Sequence, residues 1–187
     1  MLAVLLIVGI LAGCGGGGSS TTTTGAAVTT ATPSGEEAAD AAILDTVLAR
    51  QETAVEAFAE VGPELPPHLA RMAAYFRAQE QEHIDALLKA LRGLKSPAEP
   101  TPEPLDASGL KSDRDRLVFL YEMENATIDE ELSAISKLEA SWPRSLLAST
   151  IADQAQHLTL LRQALGAGPL ESVPVPFENG TSPPPGE

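Results

Sequence analysis

The sequence predicts an all-α domain: a four-helix bundle built as two antiparallel helix pairs joined by one long crossover. Three observations carry this reading. The middle of the chain is rich in Ala and Leu and poor in aromatics, a composition that favours helices. Apolar residues recur there at three- and four-residue spacing in four separate stretches. Short Gly/Pro breaks part the first stretch from the second and the third from the fourth, while a longer Pro-rich link divides the two pairs.

Helix 1 is expected over residues 36–61. Ser34 and Glu37 stand in capping-box spacing, and Gly62-Pro63 is its stop. Helix 2 starts at Pro66-Pro67, since proline suits a first turn, and runs to about residue 94. Helix 3 follows Ser112 and reaches about residue 140. Helix 4 follows Ser141-Trp142-Pro143 and closes at Gly166. The link, residues 95–111, spans roughly 50 Å at about 3.1 Å per residue. A 26-residue helix is about 39 Å long, so the link can cross the whole bundle and start helix 3 at the far end.

The flanks read differently. Residues 2–12 form an uncharged apolar run that meets Gly13 and Cys14. Such a run is too short for a hydrocarbon core of about 30 Å, which needs roughly 20 residues, and suits a signal-peptide h-region. No Lys or Arg precedes it. Leu11-Ala12-Gly13-Cys14 resembles the lipobox of bacterial lipoproteins. The resemblance implies cleavage before Cys14, a lipid on its sulfur, and export with anchoring to the cell membrane on its extracellular or periplasmic face. Cys14 is the only cysteine, so no intramolecular disulfide can form. Four segments follow: a signal peptide (1–13), a Gly/Ser/Thr tether (14–35) with an r.m.s. span of roughly 25 Å, the helical domain (36–166) and a Pro/Gly-rich tail (167–187). In that tail Val173, Val175 and Phe177 are the residues able to dock on the domain. The net charge of −14 leaves no basic stripe to neutralise phosphates and excludes nucleic acid as a partner.

Each apolar stripe is interrupted near mid-helix by a polar residue. In helix 1, Leu44, Val47 and Leu48 lead to Glu52, then Val55 and Phe58. In helix 2, Leu69, Met72 and Phe76 lead to Glu80 and His83, then Leu87 and Leu91. In helix 3, Leu117 and Leu120 lead to Glu124, then Ile128, Ile135 and Leu138. In helix 4, Leu147 and Ile151 lead to Gln154 and His157, then Leu161 and Leu165. A Glu or His at a core position is costly unless it is paired or binds a metal. The i, i+3 spacing of Glu80/His83 and Gln154/His157 puts each pair on one face, within reach of one ion. The order is Glu, then Glu-x-x-His, twice over, which is the ligand pattern of carboxylate di-metal bundles. A purely structural polar layer is the alternative.

The segment 36–166 resembles bacterial ferritin-like domains of the rubrerythrin-related kind. The resemblance rests on Glu80-Gln81-Glu82-His83-Ile84-Asp85-Ala86-Leu87, Glu124-Asn125-Ala126-Thr127-Ile128 and Ile151-Ala152-Asp153-Gln154-Ala155-Gln156-His157. It implies Glu52, Glu80, His83, Glu124 and His157 as ligands of one or two Fe or Mn ions, with Asp153 as an acceptor orienting a histidine. Gln154 departs from the pattern, which has a glutamate there. A neutral amide offers one weak oxygen and cannot bridge two cations, so a mononuclear, asymmetric or lost site stands beside a di-iron centre.

Tyr75 and Tyr121 precede Glu80 and Glu124 and read as packing residues before redox neighbours. His68 is expected at the surface, and Trp142 is expected to seal the helix 3–4 corner. Glu56, Glu60, Glu82, Asp129, Glu130 and Glu131 read as solvated faces. No phosphate loop, nucleophile elbow or zinc spacing occurs, and no catalytic residue can be named. The expected function is that of a membrane-anchored lipoprotein whose Fe/Mn site oxidises Fe(II) or reduces O₂ or peroxide. The alternative is a non-catalytic surface lipoprotein with a degenerate site that acts by binding a protein partner. A closed storage cage is disfavoured, because a lipid tether hinders a shell around a mineral.

Overall fold

The computed structural model describes residues 34–173; the candidate lipidation site Cys14, residues 15–33 of the expected tether, Val175 and Phe177 lie outside them, while Ser34 and Gly35 belong to the start of α1. Four long helices form the domain: α1 (Gly35–Val61), α2 (Pro67–Gly93), α3 (Asp113–Lys137) and α4 (Ser141–Ala164). No strand occurs among the described residues. None of their helices is long and apolar enough to cross a membrane.

The helix ends follow local chemistry. Ser34 accepts from the Glu37 amide, and the Glu37 side chain accepts from the Ser34 amide, a complete capping box. Ser112 and Asp115 do the same for α3. Pro67 opens α2. Gly166, with φ of 102°, takes the left-handed conformation just past α4.

α3 ends at Lys137, three residues before the position expected from the sequence. Leu138 turns extended, with ψ of 133°, and tucks its side chain into the core. The buried Asp40 of α1 then accepts hydrogen bonds from the Glu139 and Ala140 amides at 2.8 and 2.9 Å. These hold the sharp corner into α4. Trp142 lies over Gly93 at the end of α2 but remains 46% exposed, so it covers the corner without being sealed in it.

The link between α2 and α3 runs along the α1–α3 seam. Arg50 pairs with Glu103 at 3.1 Å, and Asp45 and Thr53 accept from the amides of Glu99 and Glu103. Leu105, Ala107 and Leu110 pack on the core. The core itself divides into two apolar clusters. One gathers Phe58, Phe76, Leu120, Tyr121 and Leu161, and the other Leu44, Leu48, Leu87, Leu91 and Leu147. Between them, in sequence along all four helices, lies a buried polar layer: Gln51, Glu80, Glu124, Glu131, Thr150, Gln154 and His157.

Candidate metal centre

The polar layer brings residues of all four helices together in a setting without solvent. Glu80, Glu124, Glu131, Gln51 and Gln154 are each 0% exposed and His157 is 2% exposed. His157 Nδ1 lies 3.0 Å from Glu124 Oε1 and 3.1 Å from Glu80 Oε1. Its Nε2 donates to Gln79 Oε1 at 3.0 Å, and its ring stacks on Phe76 with centroids 4.1 Å apart. The imidazole is therefore fixed in both position and rotation. His83 is the more open partner. Its Nδ1 donates to Glu80 Oε2 and its Nε2 to Asp153 Oδ2, both at 3.2 Å.

Gln79 and Asp153 complete the set. Gln79 Nε2 donates to both Asp153 oxygens, at 3.4 and 3.2 Å. This cross-helix pair thus holds the outer nitrogens of both histidines and leaves both Nδ1 atoms facing the buried carboxylates. Asp153 accepts from His83 of α2 rather than from His157 of its own helix, which is 4.0 Å away. Gln79 escaped the sequence reading because its role depends on the α2–α4 pairing; its position next to Glu80 mirrors that of Asp153 next to Gln154.

The electrostatics follow from burial and pairing. Burial alone would raise the Glu80 carboxyl, but hydrogen bonds from His157 and His83 outweigh it and bring it to about 2. Burial, reinforced by the Glu80 charge, pushes Glu124 up to about 8. Burial opposes a charge on His157, yet the hydrogen bonds to Glu124 and Glu80 win and raise it to about 10. His83 is raised for the same reason, its Glu80 hydrogen bond overcoming desolvation. In the metal-free chain near neutral pH Glu80 is the anion, and Glu124 and His157 each hold a proton.

Two sequence expectations need correction. Glu52 is half-buried and outside the cluster, and the wholly buried Gln51 takes the inward position of α1. Val47 and Leu48 are both buried, so the α1 stripe is wide enough for either residue to continue it; the helix phase selects Gln51. Glu131, read as a solvated face, is fully buried. It accepts from Gln51 Nε2 at 2.9 Å and Thr150 Oγ1 at 2.7 Å. The acidic run of Asp129 and Glu130 beside it hid the signal, which was its place seven residues after Glu124 and three after Ile128. Of the tyrosines, Tyr121 is buried near Glu124 and Tyr75 is 62% exposed. His68 is exposed.

The donor set fits a cation. One atom each of Glu80, Glu124 and His157 lies within 4.8 Å of the others. Three buried oxygens, Gln51 Oε1, Glu124 Oε2 and Gln154 Oε1, accept no hydrogen bond, a costly state in a core. Ligands at right angles around a small divalent ion, each about 2.1 Å from it, stand about 3.0 Å apart, which is the spacing of His157 Nδ1 from its two carboxylates. Gln154 does not supply the missing carboxylate; its Nε2 is 3.4 Å from Glu80 Oε2.

A four-helix bundle with one long crossover and a buried carboxylate–histidine cluster at mid-height defines a class, the ferritin-like fold. Residues 36–167 match the family described as ferritin-like domain, and the chain belongs to it. Two solved structures share the fold. One is a conserved hypothetical protein, rv2844, from Mycobacterium tuberculosis. It is 23% identical, has a TM-score of 0.61, and the match covers 72% of this chain and 95% of that one. The other is described as ferritin like, diiron-carboxylate proteins from Bacillus anthracis str. Ames. It is 20% identical with a TM-score of 0.62, covering 71% of this chain and 99% of that one. No curated protein matches the sequence.

Proposed function

We propose that the bundle binds a single divalent Fe or Mn ion through Glu80, Glu124 and His157, and presents it outside the cytoplasm on a lipid-anchored chain. The observation that carries the reading is the buried triad, with unpaired oxygens of Glu124, Gln51 and Gln154 in the same polar layer. Charge supports one ion over two. Glu80 and Glu124 together balance one divalent cation. A second ion would face Gln51 and Gln154, which stand in α1 and α4 where carboxylates would be needed. By sequence offset Gln51 precedes Glu80 by 29 residues (80 − 51), as Glu124 precedes Gln154 by 30 (154 − 124).

When bound, Fe or Mn would supply one-electron exchange with O₂ or peroxide. The chain's residues bind the ion, orient the ligands through Gln79 and Asp153, and exclude bulk water by the apolar clusters above and below. His157 and Glu124 surrender their protons to make room for it. We place the activity in oxidation of Fe(II) or reduction of O₂ or peroxide. The second reading, a non-catalytic surface lipoprotein, is favoured by the two neutral amides and stands if the site retains no metal.

Metal analysis of the full chain after purification from Fe- and Mn-replete medium tests this reading. About one ion per chain is expected, with loss in Glu124→Gln and an increase toward two in the Gln51→Glu/Gln154→Glu double variant. A chain that retains no metal under these conditions contradicts it.

A further inference from the structure

A groove with a volume of about 480 Å³ opens between α2 and α4. It is lined by Glu82, His83 and Ala86 on one side and by Ser149, Thr150 and Asp153, among others, on the opposite side. A water molecule takes about 30 Å³ in the liquid, so the groove admits a cation with its hydration shell. The α1–α3 seam lies under the crossover link, and the apolar clusters close the core on either side of the polar layer.

We propose that this groove is the entry route of the cation, with Asp153 receiving it and His83 acting as the gate to the buried triad. The proposal rests on the reading of that triad as a cation site. His83 touches both compartments. It lines the groove, its side chain is 11% exposed, and it bonds outward to Asp153 and inward to Glu80. Asp153 is 28% exposed at its side chain and shares the groove with Glu82, so the mouth is acidic. An acidic cleft raises the local concentration of cations and speeds their capture. Rotation of the His83 ring breaks two hydrogen bonds and leaves Asp153 and Glu80 as successive carboxylates along one path. The ring then returns over the loaded site. Thr150, in the groove wall, is held by Glu131 and the Leu147 carbonyl.

Stopped-flow loading of the full chain with Co(II), read by its visible absorption, tests the route. Ser149→Trp and Ala152→Trp fill the groove without touching the triad. Each is expected to slow loading roughly tenfold, the effect of about 1.4 kcal/mol added to the barrier, with the final absorbance unchanged. Ala148→Trp, on exposed α4 surface outside the lining, is expected to load at the parent rate. His83→Ala removes the gate and is expected to load faster. Parent-like rates in both groove-filling variants would overturn the route while leaving the cation site standing. A parent chain that takes up no Co(II) overturns both.

Discussion

Thr150 has one hydroxyl hydrogen and two acceptors in reach, Glu131 Oε2 at 2.7 Å and the Leu147 carbonyl at 2.9 Å. While Glu131 is ionised it accepts the Thr150 hydroxyl hydrogen; once Glu131 is protonated, the acid donates to Thr150 and frees that hydroxyl for the Leu147 carbonyl. Burial favours the protonated form and raises the Glu131 carboxyl to about 7. The consequence for stability has a definite sign. Between its ordinary value of 4.5 and about 7, the folded chain holds a proton that the unfolded chain has released, so stability falls as pH rises through that window. Glu124, raised to about 8, extends the fall. His157 contributes in the same direction, its stabilisation present below 6.5 and lost as pH rises through about 10. The metal-free chain is thus expected to melt at a higher temperature near pH 5 than near pH 8. Glu131→Gln should flatten the part of the slope between 4.5 and 7, since an amide donates to Thr150 at every pH. An unchanged slope in thermal melts of that variant would contradict a protonated Glu131.

At the scale of the helices, Asp40 ties the start of α1 to the α3–α4 corner through two amides that no helix satisfies. Asp40→Ala is expected to cost roughly 2 kcal/mol, read as a lower urea midpoint at unchanged slope. A loss near zero would mean the corner is held by Leu138 packing alone. The four helices themselves were legible, because apolar spacing and cap residues are local signals. So was the burial of polar residues in the stripes at Glu80, Glu124, Gln154 and His157, of which Glu80, Glu124 and His157 come together; His83, expected as a ligand, stands outside that triad. Three features were not legible. The α1 stripe fitted Gln51 and Glu52 equally, and only packing against α3 fixes its phase. Glu131 was masked by its acidic neighbours. Gln79 has a function only through Asp153, 74 positions away in sequence.

For the whole molecule, two proposals meet: an anchor at Cys14 and a cation site in the bundle. The lipobox-like Leu11-Ala12-Gly13-Cys14 leads us to expect membrane-fraction recovery and a lipid mass increment, both lost in Cys14→Ser; an unmodified parent would contradict the anchor. What the bundle does depends on the polar layer between its apolar clusters. Anomalous diffraction from crystals grown with Mn(II) measures this most directly. One peak within bonding distance of Glu80, Glu124 and His157 is the predicted result. No peak at that triad, or two peaks of equal height flanking Glu80, would contradict a single-cation site.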